Sequence, residues 1–524
     1  MKRQRAFTAT ELLVAASLLT FGVMTACGGD DSSGGGGGTG GVAGSAAGQG
    51  GSSMGGKAGS SMGGKAGSGG RPNAAGEGGE AGSEAPDSGP GLGGAGGEAG
   101  AVDTTLKQVV YPAVKFPPEN PDSDAKDMLG KILFWDEQVG SDDTMACGTC
   151  HRTGGGGGSD PRAIDAAHSR SPGDDGILGT ADDVHGSQGI KYCTGGDGTP
   201  VVRASVAIYG LGNQVTGRKA PTYLDAMFAA DIFWDGRATS EFKDPLTSLA
   251  AIKVGGGLES QSVGPPMNSG EMACANRTWA GLTDKLAKVT PLNFAKDIPP
   301  AMKDAITAAG GTYGGLFKAA FGSAEITPAH FAFAIATHER HLTSNQTPWD
   351  RYNAYLNDPK TGDRNALTPA QVHGFQLFMG KASCNSCHIP PFFSDFQFHN
   401  LAFVSSAVDK GRQALPGHSA DPRGQVKTSN LRNVGLREAQ GLFHYGHGPG
   451  ASLEAVMAAY NIAPHNDGPD NLPTTGDPTG SAVKPLGLTP DEIADMIDFL
   501  RNGLTDPRVK NQEFPFDRPT LSTE

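Results

Sequence analysis

The pattern Cys-x-x-Cys-His occurs twice in this chain, as Cys147-Gly-Thr-Cys150-His151 and as Cys384-Asn-Ser-Cys387-His388. No other feature limits the chain as tightly. Two thiols at that spacing form thioether bonds to the two vinyl groups of one porphyrin, and the histidine that follows reaches the iron as an axial ligand. A zinc site would want two more Cys or His close by, and neither motif has such a pair beside it. A redox-active dithiol would want a βαβ setting, which the chain lacks. The spacing predicts two covalently attached haems c. Cys147, Cys150, Cys384 and Cys387 would anchor them, and His151 and His388 would hold the irons.

Covalent haem attachment takes place outside the cytoplasm, so an export signal is expected at the N-terminus. Lys2, Arg3 and Arg5 precede a short apolar core, Leu12 to Val23, too short for a transmembrane helix. "MTAC" at 24–27 resembles a bacterial lipoprotein cleavage site, with Met24 in place of the usual Leu. "FTATELLVA" at 7–15 resembles a type IV prepilin start, but Ala6 stands where that pattern needs Gly. The lipoprotein reading is favoured. It makes residues 1–26 a signal and Cys27 the lipidated residue, and it places the protein in the periplasm or cell envelope on a lipid anchor.

Residues 27–105 hold much of the chain's glycine, 80 residues in all, and repeat "SSMGGKAG" at 52–59 and 60–67. Almost no large apolar side chain is present. Such a segment cannot bury enough surface to offset the entropy of ordering, and it is expected to be a disordered Gly/Ser-rich linker. As a flexible tether it would span about 50 Å root-mean-square; a tail without function fits the composition equally.

From Leu106 onward the pattern is mainly α. "DAKDMLGKILFWD" at 124–136 has a helical apolar period and leads into the first motif. Thr-Pro pairs announce helices at Thr327, Thr368 and Thr489, and Gly380 and Gly503 are expected to stop the last two. Residues 152–217 read as one long irregular excursion. The expected fold is mainly α, with two cytochrome c-like haem domains and long loops, the first over 106–325 and the second over 326–524.

Several stretches resemble the bacterial dihaem cytochrome c peroxidase and MauG family. They are "LGKILFWDEQVGSDDTMACGTCH" (129–151), "RKAPTYLDAMFAADIFWDGRA" (218–238), "GEMA" (270–273), "HERHLTSNQTPWDRY" (338–352), "GFQLFMGKASCNSCH" (374–388) and "LRNVGLREAQGLFHYGHGPGASLEAVMAAYN" (431–461). They follow the family's order across most of 106–505. The resemblance implies a first haem that meets peroxide and a second that transfers electrons. It implies that Glu271 moves a proton between the peroxide oxygens, work suited to a carboxylate, and that Trp234 lies between the haems as an electron relay. For either residue taken alone, surface solvation or core packing would be the plain reading.

Departures from the family are informative. Many members close the first haem with a histidine shortly before the Arg-x-x-Pro-Thr segment, yet 204–217 contains none. His168 and His185 lie further back and read as loop histidines. The first haem is therefore expected to be five-coordinate or water-bound at rest. For the second haem the family uses Met or, in MauG, Tyr. Tyr460 takes the aligned place and is favoured, with Met457 three residues earlier as the alternative; helix packing is the bland role for both. A phenolate ligand favours higher-valent iron, a thioether ferrous iron. Lys219 replaces an Asn that contributes to calcium binding in the family, and an ammonium cannot ligate calcium. "SPGDDGILGTADD" at 171–183 has oxygen ligands suited to calcium, but not at EF-hand spacing. A solvated acidic loop is the favoured reading of it.

Cys193 and Cys274 remain after the motifs and Cys27 are accounted for, and export favours a disulfide between them. A formal charge of −13 excludes the basic surface that nucleic acid requires. The favoured function is a dihaem peroxidase that reduces hydrogen peroxide with electrons from a donor protein, a small cytochrome or a cupredoxin. MauG-like oxidation of residues in a partner protein is the first alternative. A dihaem electron carrier without catalysis is the second.

Overall fold

Helices begin where the sequence supplies caps. In the computed structural model the Ser123 hydroxyl accepts from the Lys126 N–H, and Asp124 and Asp127 lie in the first turn, where the helix dipole favours acid. Thr327, Thr368 and Thr489 each cap a helix with proline in its first turn, the latter two with a reciprocal bond from Gln371 and Glu492. The described residues are 104–524 without 159–168, 174, 181, 402–408, 447 and 463–484. The signal, Cys27, the tether up to residue 103 and His168 lie outside them.

In chain order the helices are α1 (Asp124–Trp135), α2 (Cys147–Cys150), α3 (Gly257–Ser262), α4 (Trp279–Leu286), α5 (Pro300–Ala308), α6 (Tyr313–Phe321) and α7 (Pro328–His341). They continue with α8 (Pro348–Asn357), α9 (Pro369–Met379), α10 (Val434–Arg437), α11 (Leu453–Ile462), α12 (Pro490–Asp498) and α13 (Pro507–Asn511). A turn of π-helix, Phe499–Gly503, prolongs α12 to the glycine expected to end it. Among the described residues the strands are short and form antiparallel couples: β1 (Gln188–Lys191) with β4 (Asn213–Val215), β2 (Cys193–Gly196) with β3 (Thr199–Arg203), β5 (Phe242–Lys243) with β6 (Ala250–Ile252), and β7 (Phe398–His399) with β8 (Val426–Lys427). Four of these strands lie within the excursion that follows the first motif.

Among the described residues two large hydrophobic cores organise most of the helices. In the first, Leu129, Ile132 and Leu133 of α1 meet Phe331, Ala334 and Ile335 of α7, with Phe317 and Leu282 beside them. By packing, α7 belongs to this core although it follows residue 325. In the second, Phe375 and Phe378 of α9 meet Met496 of α12 and Phe499, with Trp349 and Phe393. Each such side chain contributes about 1.5–3 kcal/mol when fully buried. Both crossings depend on a glycine. A Cβ on Gly130 would stand 2.0 Å from the Ala334 carbonyl oxygen, and one on Gly374 would stand 2.2 Å from that of Asp495. The chain ends are exchanged: Leu106 packs in the second core, while Val509, Phe516 and Leu521 pack in the first. Among the described residues no helix is long and apolar enough to cross a membrane.

Candidate active site

Each Cys-x-x-Cys-His motif follows a core helix and opens with a single helical turn: α2 at the first, and a 3-10 turn over Cys384–Ser386 at the second. His151 Nδ1 lies 3.0 Å from the Gly157 carbonyl oxygen, and His388 Nδ1 lies 2.8 Å from that of Phe393. A carbonyl can only accept, so Nδ1 carries the hydrogen and Nε2 keeps its lone pair, the arrangement of a metal-ligating imidazole. Burial pulls both imidazoles below the usual histidine range and keeps them neutral. Among the described residues the only disulfide is elsewhere, so all four motif cysteines retain their sulfur chemistry for a haem.

The glycine run after the first motif positions His151. Gly156 and Gly157 take φ of +66° and +86°, and a Cβ on Gly157 would stand 2.6 Å from Thr222 Oγ1. Only glycine satisfies both demands. Gly157 presents its carbonyl to His151, and Gly156 accepts from the Thr222 hydroxyl at 2.9 Å. Tyr223, bonded to Thr153 at 3.0 Å, packs edge-on against the His151 ring.

Strand β1 brings Glu271 to this site. The Gln188 carbonyl accepts from Cys150 Sγ at 3.0 Å, and two residues on the Ile190 N–H donates to the Glu271 carbonyl at 2.9 Å. Cys193 in β2 is joined to Cys274 three residues after Glu271, with Cα atoms 4.7 Å apart. The Glu271 side chain lies within electrostatic reach of Cys147. Burial pushes its carboxyl above the usual range, with Arg237 opposing. A second carboxyl escaped the sequence reading: Glu339, in α7, is buried, and burial pushes it up to about 8. Its charge reaches Cys147 and Tyr223. Its sequence signal was weak, an acidic residue in the polar last turn of a helix whose middle is apolar.

The second motif borders a cavity of about 590 Å³ lined by Cys384, Cys387, His388, Met457, Tyr460 and Trp234, among others. Both candidate axial residues of α11 therefore reach the same space. Burial, reinforced by Cys384 and Cys387, raises the Tyr460 phenol well above its usual value. Trp234 donates Nε1–H to the Lys219 carbonyl at 2.7 Å and packs 5.8 Å from the His444 ring. Burial pulls His444 down to about 4 despite Asp409 at 3.5 Å. Trp234 and Thr222 lie on one segment, which runs from the first site to the second. His185 is fully buried, and its N–H donates to the Tyr445 carbonyl at 2.9 Å, against the turn that borders the second cavity.

The donor sets fit the implied cofactor: paired thiols, a neutral imidazole with Nε2 available, and a cavity of ligand size. Each of the two sites is suited to holding a haem. A family model described as di-haem cytochrome c peroxidase matches residues 124–358. The methylamine utilization protein MauG of Methylorubrum extorquens is 26% identical over 398 residues, covering 75% of this chain and 82% of that protein. The cytochrome-c peroxidase IdrP1 of Denitromonas iodatirespirans is 25% identical over 442 residues, covering 79% and 91%. A solved MauG-like protein associated with microbial copper homeostasis aligns with 21% identity over 78% of this chain and 96% of that one, at a TM-score of 0.49. These matches make the chain similar to the dihaem cytochrome c peroxidase and MauG family, and they support a haem oxidoreductase of the peroxidase type.

Proposed function

We propose that the protein reduces hydrogen peroxide to water at the first site, with electrons that enter from a donor protein at the second. The observation that carries this is Glu271, a shielded carboxyl with a raised pKa, held beside the first motif by β1. A haem at each motif would supply iron for oxygen–oxygen bond cleavage at the first site and for electron transfer at the second. The chain's own residues do the rest. Gly157 orients His151, and Glu271 takes a proton from one peroxide oxygen and returns it to the other. Trp234, bonded to Lys219 and packed on His444, supports electron passage along the segment that joins the sites.

Tyr460 favours a second reading. Its place on the second cavity suits a phenolate-ligated haem and MauG-like oxidation of residues in a partner protein. In either case the protein would work outside the cytoplasm, tethered by lipid at Cys27, and calcium would not be required where Lys219 stands.

The test uses the haem-loaded protein with a reduced small cytochrome. Addition of peroxide should oxidise the cytochrome. A cytochrome that stays reduced, while both haems of the protein still cycle, would overturn the peroxidase reading and leave the MauG-like enzyme or the electron carrier.

A further inference from the structure

Arg437 closes α10. It is buried, yet among the described residues no carboxylate pairs with it. Its guanidinium donates instead to main-chain carbonyls: Nη1 to Arg432 at 2.7 Å and, more weakly, to Gly156 at 3.4 Å, and Nη2 to Asn430 at 2.6 Å. The same side chain lines the second cavity. Burying a cation without a carboxylate in direct contact is costly; Asp225 acts on it only from a distance, and burial pulls this guanidinium down to about 10. A cation buried at that cost, and hydrogen-bonded only to main-chain carbonyls, holds a backbone shape.

The shape belongs to the other site. Gly156 precedes Gly157, whose carbonyl takes the hydrogen of His151 Nδ1. A Cβ on Gly156 would stand 2.7 Å from the Asn433 carbonyl oxygen and 2.8 Å from Arg437 Cγ, so the turn and the arginine stem are packed with no slack. The partner of an axial imidazole fixes its ring orientation and its basicity toward the metal.

We propose that Arg437 is a positioning residue that couples the two haem sites: from the wall of the second cavity it holds the Gly156–Gly157 turn, and through that turn it sets the orientation of His151. The inference rests on the two-haem reading above. A merely structural arginine in this wall would affect the second haem or overall stability; a positioning residue changes the first haem.

The test compares the full-length, haem-loaded protein with Arg437→Met, Arg437→Lys and Gly156→Ala. Haem content is counted first, then the electron paramagnetic resonance of the ferric first haem and its reduction potential are read. Arg437→Met should keep two haems and shift or split the first-haem signal. Arg437→Lys, which preserves a donor, should restore part of the wild-type signal. Gly156→Ala presses on the same contact from the other side and should shift the same signal. If Arg437→Met fails to fold, the Lys and Ala variants decide. Two-haem variants whose first-haem signal and potential match wild type, or in which only the second haem changes, overturn the inference and leave the functional reading intact. A wild-type protein with fewer than two haems overturns both.

Discussion

Replacing Glu271 by glutamine keeps the size of the side chain and removes only its capacity to carry a proton. The structure predicts opposite effects on stability and on rate. Burial raises the carboxyl pKa, with Arg237 as the opposing charge. A carboxyl whose folded pKa is raised loses stability as pH climbs from its ordinary value through the raised one. The neutral amide escapes that loss, so Glu271→Gln should be as stable as wild type at neutral pH, or slightly more so. Peroxide turnover should behave otherwise, because a positioned acid–base group contributes about 10²–10⁴-fold, or about 2.7–5.4 kcal/mol of barrier. The assay is peroxide-dependent oxidation of a reduced cytochrome across pH, with both haems counted in each sample. Wild-type activity should fall on acidification as Glu271 takes up its proton, at a higher pH than an ordinary carboxylate would show. The variant should have a small residual rate without that limb. Wild-type turnover in a two-haem variant, or an acid limb that persists, refutes the role given to Glu271.

Three further outcomes are expected. Tyr460→Phe should change the optical spectrum of the second haem, whereas Met457→Leu should leave it unchanged; the reverse result moves the axial position to Met457. Trp234→Phe should retain both haems and the first-haem spectrum while slowing electron transfer between the sites in stopped-flow reduction, and an unchanged rate would make Trp234 a packing residue. Opening the Cys193–Cys274 bond by Cys274→Ala releases a loop with a sequence separation of 81. On the chain-entropy model this costs at most about 4.5 kcal/mol, read as a lower denaturation midpoint; an unchanged midpoint would show that the bond does not constrain the loop.

What the sequence disclosed was local. The haem motifs announce themselves by spacing, and the Thr-Pro caps at 327, 368 and 489 by short-range hydrogen bonding. What it hid was long-range. Leu106 joins the second core while Phe516 and Leu521 join the first, and no periodicity shows such an exchange. The glycine run after His151 carried no visible chemistry, because its work is done by carbonyl groups that every residue possesses. Only the positive φ values and the crowding by Thr222 and Arg437 explain why glycine is needed there. Arg437 and Glu339 looked like ordinary charges among many; their meaning comes from burial, which packing between distant segments decides.

Peroxide reduction as proposed requires an open face at the first iron, across from His151, where peroxide can bind within reach of Glu271. Electron paramagnetic resonance of the resting, haem-loaded protein tests this directly. A high-spin ferric signal from the first haem, altered when peroxide or a small anion is added, is the predicted result. A low-spin, bis-histidine first haem that persists in the presence of peroxide would contradict it.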